Sequence, residues 1–291
     1  MIWHEETTCG CKLNLRLKVT AVRPDGLHEL STLFWPLDFP GDLLEAEEAA
    51  HLTVTVPGSP HLETADNLVA RAAGVFAEAA GIAPAWHFTL HKRTPVAAGL
   101  GGGSADAAAV LTLLNRRYER FSAAELAELA LKLGADVPFF LSRRPAWATG
   151  VGEKIVPLEN AGRLPETLVV FPGFPVSAKW AYQHMSPDLI GPDPSDIRER
   201  FAVALAAPED APWAELCRND LAPALWRKFP LLSLLRDAMP DRGAAAVQVS
   251  GSGSSLFALF PRGGADAAAD VLRSRFGGMA GLRIFTGGRE W

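Results

Sequence analysis

Three separated groups of residues in this sequence have chemistry that fits together. Lys12 opens the alternating segment KLNLRLKV, residues 95–111 read PVAAGLGGGSADAAAVL, and Asp136 lies within ADVPFFL. Glycines permit positive φ angles and have no Cβ, so consecutive backbone N–H groups can point at one anion. A phosphate-binding loop with a lysine and an aspartate supplies the parts that phosphoryl transfer needs. The residues therefore predict a phosphoryl-transfer site.

The glycine-rich segment carries the strongest of these signals. Four glycines lie within Gly99–Gly103, and helix-forming residues follow from Ser104 through Arg117. A helix that starts there adds free N–H groups and partial positive charge, which favour an anion. The alternative is a flexible linker or a tight helix start. Linkers are usually polar and serine-rich, whereas this segment lies between apolar ones.

Two better known phosphate loops do not match the spacing. A Walker loop requires GxxxxGK, and no lysine lies between Gly99 and Arg116. The dinucleotide fingerprint GxGxxG has Ser104 or Asp106 at its sixth position, where a glycine is required. The segment is therefore a glycine-rich phosphate loop of another type.

Composition limits the class of protein. The chain has 291 residues, 48% hydrophobic and 21% charged, which predicts a globular protein of about two domains. A net charge of −5 argues against nucleic acid as the main partner.

No apolar run is long enough to span a membrane and the start MIWHEETT does not resemble a leader, so we expect no membrane partner and a cytoplasmic location. Cys9 and Cys11 have no second cluster with which to bind a metal, and we expect small buried cysteines in a strand.

The first predicted strand alternates strictly between two faces. Its polar side chains are Lys12, Asn14, Arg16 and Lys18. A solvated face is the usual explanation and is expected for Lys18. Lys12 differs because it opens the strand, where side chains commonly reach a cleft.

Further elements position the glycine segment and the aspartate. The pattern predicts a turn at 23–26, a second strand up to residue 37, and two more strands in DLLEAEEA and HLTVTV. A helix capped by Asp66 and ended by Gly81 follows, and then a strand over 85–91. After the glycine segment and its helix, the pattern predicts a further helix with a Ser122–Glu125 capping box. Asp136 follows that helix. Its alternative role is the N-cap of a short turn with Pro138 near the first position.

The composition changes beyond about residue 160, where a second domain is expected. The pattern there predicts a strand over 167–171, helices near 195–206, 219–238 and 265–275, two strands around SGSGSS, and a final strand LRIFT. The SGSGSS segment is either a second small anion nest or a tight hairpin turn.

Eight motifs together resemble the GHMP small-molecule kinases over essentially the whole chain. They are CKLNLRLKV, RPDGLHEL, DNLVARAA, PVAAGLGGGSADAAAVL, LGADVPFFL, GVGEKI, RNDLAPAL and VSGSGSSLF. The resemblance implies an α+β fold of two GHMP kinase domains, an N-terminal mixed sheet with helices over residues 1–158 and a C-terminal α/β sandwich-like domain over 159–291, with the active site in the cleft between them. KLNL, DGxH and GADVP in this order resemble the branch that uses ATP to phosphorylate the 2-hydroxyl of a cytidine diphosphate-linked methylerythritol in the non-mevalonate isoprenoid pathway.

The resemblance also implies roles for individual residues. Asp136 would be the general base for the attacking hydroxyl, and Lys12 would favour the developing alkoxide. Asn14, His28 and Tyr182 would contact the substrate. ATP would be bound, with Mg²⁺ neutralising part of its charge, by Pro95, Val96, Ala97, Ala98, Gly99, Leu100, Gly101, Gly102, Gly103, Ser104 and Ala105. No residue is assigned as a magnesium ligand, and no obligatory protein partner is expected.

Two positions depart from the family pattern, and two other functions remain as alternatives. Leu27 replaces the usual tyrosine before His28, and Cys9-Gly10-Cys11 replaces the usual Ala and Pro before the lysine. One alternative is a kinase of the same fold that acts on homoserine or a mevalonate-pathway alcohol, although such a kinase has no need of His28. The other is a non-catalytic nucleotide or metabolite sensor, which would not need both Lys12 and Asp136.

Overall fold

The computed structural model describes residues 3–159 and 161–291 of the chain. Within them the β-strands are β1 His4–Val22, β2 His28–Glu48, β3 Thr53–Thr55, β4 Trp86–His91, β5 Ala146–Gly150, β6 Lys154–Pro157, β7 Glu166–Pro172, β8 Ala246–Val249, β9 Leu256–Phe260, β10 Leu282–Thr286 and β11 Arg289–Glu290. The α-helices are α1 Leu68–Ala80, α2 Gly102–Tyr118, α3 Ala123–Leu133, α4 Val137–Ser142, α5 Ala178–His184, α6 Ile197–Ala206, α7 Trp213–Leu216, α8 Ala222–Lys228, α9 Pro230–Asp237 and α10 Ala265–Phe276. No helix in the described residues is long and apolar enough to cross a membrane.

Two compact units are each assembled from separate parts of the chain. The first unit holds the described residues up to Cys11 with Pro36–Val96 and Gly101–Arg144. The second holds Lys12–Trp35, Ala97–Leu100 and Pro145–Trp291. Strands β1 and β2 each contribute one part to the first unit and another part to the second. The expected division after residue 158 is a single cut in the sequence, and it stays a prediction.

The first unit packs helices on a short sheet. Residues 43–48 of β2 pair antiparallel with β4, and β4 pairs parallel with β3. Helix α1 packs against α2, which also contacts α3 and α4. The Trp86 ring of β4 lies 6.5 Å from Phe76 of α1 and 5.9 Å from Tyr118 of α2, measured between ring centroids. These apolar contacts fix the helix that follows the glycine segment.

The second unit contains a fully antiparallel five-stranded sheet in the order β11-β10-β7-β9-β8. Helix α10 packs on β7, β9 and β10. Its apolar core joins buried side chains of this sheet and α10 to Leu17 and Val19 of β1. In the same unit, residues 30–34 of β2 pair antiparallel with β5, and β5 pairs with β6. The core therefore places the second half of β1 next to the sheet that carries the SGSGSS turn.

Most of the predicted elements are confirmed. Gly81 ends α1 in the left-handed region with φ 64°, Ser122 and Glu125 form the capping box of α3, and β8 and β9 form the hairpin around SGSGSS. The strands over 85–91 and 167–171, the helix over 265–275 and the final LRIFT strand are also present.

Four expectations were wrong in detail. DLLEAEEA is the end of β2, because Leu44 and Ala46 keep its alternation, and it is not a separate strand. Asn67 rather than Asp66 caps α1, since its side-chain oxygen accepts the N–H of Val69 at 2.9 Å. The helix expected over 219–238 is two helices, because Pro230 ends one and begins the next. Helix α2 starts at Gly102, two residues before the expected Ser104.

Candidate active site

The polar face of β1 is buried, which corrects the expectation of a solvated face and of a solvated Lys18. Lys12, Asn14, Arg16 and Lys18 expose only 4%, 3%, 4% and 6% of their surface. Burying a charged group is costly unless it is paired and hydrogen-bonded. Each of these side chains has a polar partner in the second unit.

Lys12 lies directly on the glycine segment. Its ammonium donates to the Oδ1 of Asn14 at 2.5 Å and to the carbonyl of Gly99 at 3.2 Å. Its backbone N–H donates to the carbonyl of Leu100 at 2.8 Å. The Asn14 amide in turn donates to the hydroxyl of Thr32 at 2.8 Å. Two of the sequence-predicted residues, Lys12 and Asn14, are therefore brought together with the predicted loop.

The SGSGSS turn, residues 250–255, lies on the same part of the loop. The Ser250 hydroxyl donates to the Gly99 carbonyl at 2.9 Å, and the Ser255 N–H donates to the Ala98 carbonyl at 3.0 Å. Ser250 also accepts the backbone N–H of Asn14 at 3.2 Å. Of the two alternatives for this segment, the hairpin is confirmed, and the hairpin turn also supports loop residues 97–100.

The RND segment, residues 218–220, holds this arrangement together, and this role was not predicted from the sequence. The Asn219 amide donates to the carbonyls of Val249 and Gly251, at 2.9 and 2.7 Å. Asp220 pairs with Lys18 at 3.1 Å. Outside the segment, the Asp193 carboxylate accepts hydrogen bonds from the Nε and Nη2 of Arg16. The available sequence signal was the charged and amide-containing triplet itself, directly before an apolar helix. Polar side chains that are buried at such a position need hydrogen-bond partners.

The remainder of the predicted phosphate loop belongs to the first unit. Pro95 is buried and Val96 is half exposed. Gly101 precedes α2 in the left-handed region with φ 70°. The first helical hydrogen bond of α2 runs from the Ala105 N–H to the Gly101 carbonyl at 3.0 Å. The N–H groups of residues 102–104 precede that bond and are the end donors of the helix. A Cβ on Gly102 would lie 2.7 Å from the Cγ2 of Thr94, so this turn requires glycine.

Asp136 lies immediately before α4, at the N-cap position that its alternative role requires. Pro138 is within the first two helical positions. The Asp136 side chain is half-buried and makes no capping hydrogen bond. Local helix capping therefore does not account for this aspartate.

His28 and Tyr182, both in the second unit, are neighbours. Their ring centroids are 4.9 Å apart with 30° between the planes. Burial lowers the pKa of His28, which favours the neutral imidazole. The preceding residue, Leu27, is about half exposed at 52%. The structure thus places the two predicted substrate residues side by side, next to an exposed aliphatic side chain.

A buried ionic cluster in the first unit adjoins both ends of the glycine segment. The Lys92 ammonium bonds Asp42 at 2.5 Å and Asp106 at 2.8 Å. Burial, together with the charge of Asp42, raises the pKa of Asp106 to about 7 despite the opposing effect of Lys92. Burial also raises the pKa of the adjacent Cys9 thiol well above its ordinary value. Cys9 and Cys11 are buried free cysteines in β1, as expected.

Among the described residues, no three His, Cys, Asp or Glu side chains form a group that would hold a metal ion. Mg²⁺ is commonly bound by one or two protein carboxylates plus substrate phosphates. The glycine backbone of residues 99–103 offers the close approach that phosphates need.

Replacing Gly99 by alanine tests the packing of the loop. The added Cβ would lie 2.1 Å from the Ser250 carbonyl oxygen at a φ of +80°. We expect Gly99→Ala to lower the free energy of unfolding by about 2–4 kcal/mol in urea titrations. Gly58 is a matched control, because its φ is +77° and nothing lies within 4 Å of its added Cβ. Gly58→Ala should cost about 1 kcal/mol. Equal losses in the two variants would contradict the packing described here.

The protonation of Asp106 predicts a pH dependence of stability. Between the ordinary aspartate pKa, about 4, and the folded value of about 7, the unfolded chain releases a proton that the folded chain keeps. The free energy of unfolding therefore falls as pH rises through this window, by up to about 1.4 kcal/mol per pH unit. Asp106→Asn should lack this component when urea unfolding of both proteins is measured from pH 4 to 8. Parallel pH curves for the wild type and the variant would refute the raised pKa.

Known proteins resemble this chain throughout its length. The family model for the GHMP kinases N terminal domain matches residues 67–144, and the model for the GHMP kinases C terminal region matches 202–278. A 4-diphosphocytidyl-2-C-methyl-D-erythritol kinase of Anaeromyxobacter dehalogenans is 41% identical over 96% of this chain and 88% of the relative.

Solved structures agree with that relationship. A crystal structure of 4-(cytidine 5'-diphospho)-2C-methyl-D-erythritol kinase is 38% identical and has a TM-score of 0.81, covering 97% of this chain and 98% of the other. Homoserine kinase from Cytophaga hutchinsonii is 18% identical with a TM-score of 0.69, covering 98% of this chain and 95% of the other, and shares the fold. The chain therefore has the two-domain α+β GHMP kinase fold and belongs to the 4-diphosphocytidyl-2-C-methyl-D-erythritol kinase family.

Proposed function

We propose that this protein transfers the γ-phosphoryl group of ATP to the 2-hydroxyl of 4-diphosphocytidyl-2-C-methyl-D-erythritol, a step of the non-mevalonate isoprenoid pathway. The observation that carries the proposal is the contact of Lys12 with the glycine loop, where the ammonium and the backbone N–H bond the carbonyls of Gly99 and Leu100. Family membership supplies the substrate class, and relatives at 41–42% identity bear this substrate in their names. The proposal also includes a cytoplasmic location and a domain boundary after residue 158.

The glycine loop would bind the phosphates of ATP. Its backbone N–H groups in residues 95–105, including the end donors of α2, would cradle the polyanion, and the partial charge of the helix terminus would favour it. Mg²⁺ that enters with ATP would neutralise part of the phosphate charge. The Gly99 carbonyl of the loop is held by Lys12 and Ser250, so the N–H of the same peptide points away from both and would face the ligand.

Asp136 and Lys12 would carry the chemistry. Asp136 would accept the proton of the 2-hydroxyl while the hydroxyl oxygen bonds to the γ-phosphorus of ATP. The bond between the γ-phosphorus and ADP breaks at the same time, and ADP leaves. The positive charge of Lys12 would favour the developing alkoxide. A tertiary alcohol is a poor nucleophile, so its alignment with the γ-phosphate matters as much as removal of its proton.

Substrate selection would rest on three further residues. The neutral imidazole of His28 can both donate and accept hydrogen bonds, which suits the edge of a cytosine base. Tyr182, whose ring contacts that of His28, would offer an aromatic surface for stacking. Asn14, held between Lys12 and Thr32, would contact the substrate close to the reacting group. The exposed Leu27 would offer the base an aliphatic contact at the position where the family usually has an aromatic side chain that stacks on cytosine.

The proposal is tested by ADP release with a panel of three alcohols. The panel contains 4-diphosphocytidyl-2-C-methyl-D-erythritol, homoserine and mevalonate, each with ATP and Mg²⁺. We expect kcat/KM for the cytidyl substrate to exceed the other two by at least about a thousandfold, because His28 would have no partner on them. Preference for homoserine or mevalonate would replace the substrate assignment. Binding of ATP without turnover of any of the three would favour the sensor.

Asp136→Asn provides the catalytic control for the same assay. Loss of a general base should lower kcat by about a hundredfold or more while leaving the Kd for ATP nearly unchanged. If Lys12 and Asp136 act on one reacting group, Lys12→Met combined with Asp136→Asn should lose much less than the product of the two single effects. Near-normal turnover of Asp136→Asn would remove Asp136 from the mechanism.

A further inference from the structure

Two buried carboxylates and a partly buried lysine of the first unit flank the glycine loop. Asp42 lies in β2, Lys92 directly follows β4, and Asp106 lies in α2. Asp42 and Asp106 expose 1% and 2% of their surface. None of the three is among the residues proposed to carry the chemistry or to contact ATP or the alcohol.

Asp42 fixes the backbone that leads into the loop. One carboxylate oxygen accepts the N–H groups of Arg93 and Thr94, at 2.5 and 2.7 Å. The other oxygen accepts the Lys92 ammonium at 2.5 Å. A single buried carboxylate therefore holds three consecutive residues immediately before Pro95.

Lys92 connects this fixed segment to the helix that leaves the loop. Its ammonium also donates to Asp106 at 2.8 Å, and Asp106 lies in the second turn of α2. The close approach of Gly102 to Thr94 lies beside this connection, since a Cβ on Gly102 would be 2.7 Å from the Thr94 methyl carbon. The residues before and after the loop are thus joined by a carboxylate–ammonium–carboxylate chain.

We propose that Asp42, Lys92 and Asp106 form a positioning triad that holds both flanks of the glycine loop in the geometry that binds the phosphates of ATP. The proposal rests on the proposed function of the loop and extends it to residues that do not touch the nucleotide phosphates. A cradle of backbone N–H groups binds tightly only when it is organised before the ligand arrives. The triad supplies that organisation at the first unit's part of the loop.

The test measures the Kd of a nonhydrolysable ATP analogue with Mg²⁺ by calorimetry, which does not depend on the identity of the alcohol. Asp42→Ala should raise this Kd by about tenfold or more, because a displacement of the loop by a fraction of an ångström is costly. Asp42→Asn keeps an oxygen for the two N–H groups but loses the ionic bond to Lys92, so it should weaken binding less than Asp42→Ala does. Lys92→Met, which separates the two flanks, should weaken binding in the same direction as Asp42→Ala.

Two controls separate positioning from a general loss of stability. Asp266→Ala removes a carboxylate that bonds Thr286 and Arg289 in the second unit and should leave the Kd unchanged. All Kd values are measured at one temperature, at least about 20 °C below the lowest Tm among the variants, so that each protein is folded. If Asp42→Ala does not fold, Lys92→Met still tests the connection between the two flanks.

The outcomes distinguish the triad from the function that it serves. An unchanged Kd in folded Asp42→Ala or Lys92→Met would overturn the triad while leaving ATP binding intact. Equal weakening by Asp42→Ala and Asp42→Asn would also overturn it, because the N–H contacts would then have no part. Failure of the wild type to bind the analogue would instead refute the proposed function.

Discussion

The structure depends on one constraint, which is that residues 97–100 of the glycine loop are held by their carbonyl groups. The carbonyls of Ala98, Gly99 and Leu100 accept hydrogen bonds from Ser255, from Ser250 and Lys12, and from the backbone of Lys12. The N–H of a peptide points opposite to its carbonyl, so these contacts direct the N–H groups of the same peptides away from Ser250, Ser255 and Lys12. The loop is therefore a supported backbone structure of the second unit and not a flexible linker.

That constraint explains why a strand with four polar side chains is buried. Lys12 must reach the Gly99 carbonyl, and the same alternation of β1 buries Asn14, Arg16 and Lys18 behind it. Desolvation of these side chains is offset by Asp193, Asp220 and Thr32. The partners in turn fix the RND segment, whose asparagine holds the turn that supports the loop. The contacts of Lys12 with Asn14 and Gly99 are therefore part of a larger buried polar network.

Local signals in the sequence predicted what is local in the structure. The glycine loop, the capping box of α3 and the SGSGSS hairpin depend on neighbouring residues, and all three are present. The burial of the polar face of β1 was missed because its partners are distant in sequence, 177 residues for Asp193 and 202 for Asp220. Asp66 and Asn67 are adjacent residues of equal capping ability, so only the path of the backbone decides which one caps α1.

The ionic cluster beneath α2 shows a second limit of sequence reasoning. Asp42, Lys92 and Asp106 each have an ordinary explanation as solvated charges when taken alone. Their meeting depends on the antiparallel pairing of β2 with β4, which brings residues 43 and 91 opposite each other. Site residues of this kind become recognisable only when strand register is known.

Amide hydrogen exchange of residues 97–105, with and without ATP and Mg²⁺, tests the central claim most directly. If backbone N–H groups of this loop bind the phosphates, exchange in a peptide that covers residues 99–104 should slow by about tenfold or more at saturating ATP. A peptide that covers Gly58 should be unaffected. Unchanged exchange across residues 97–105, in a protein that calorimetry shows to be saturated with ATP, would contradict the assignment of the loop as the phosphate cradle.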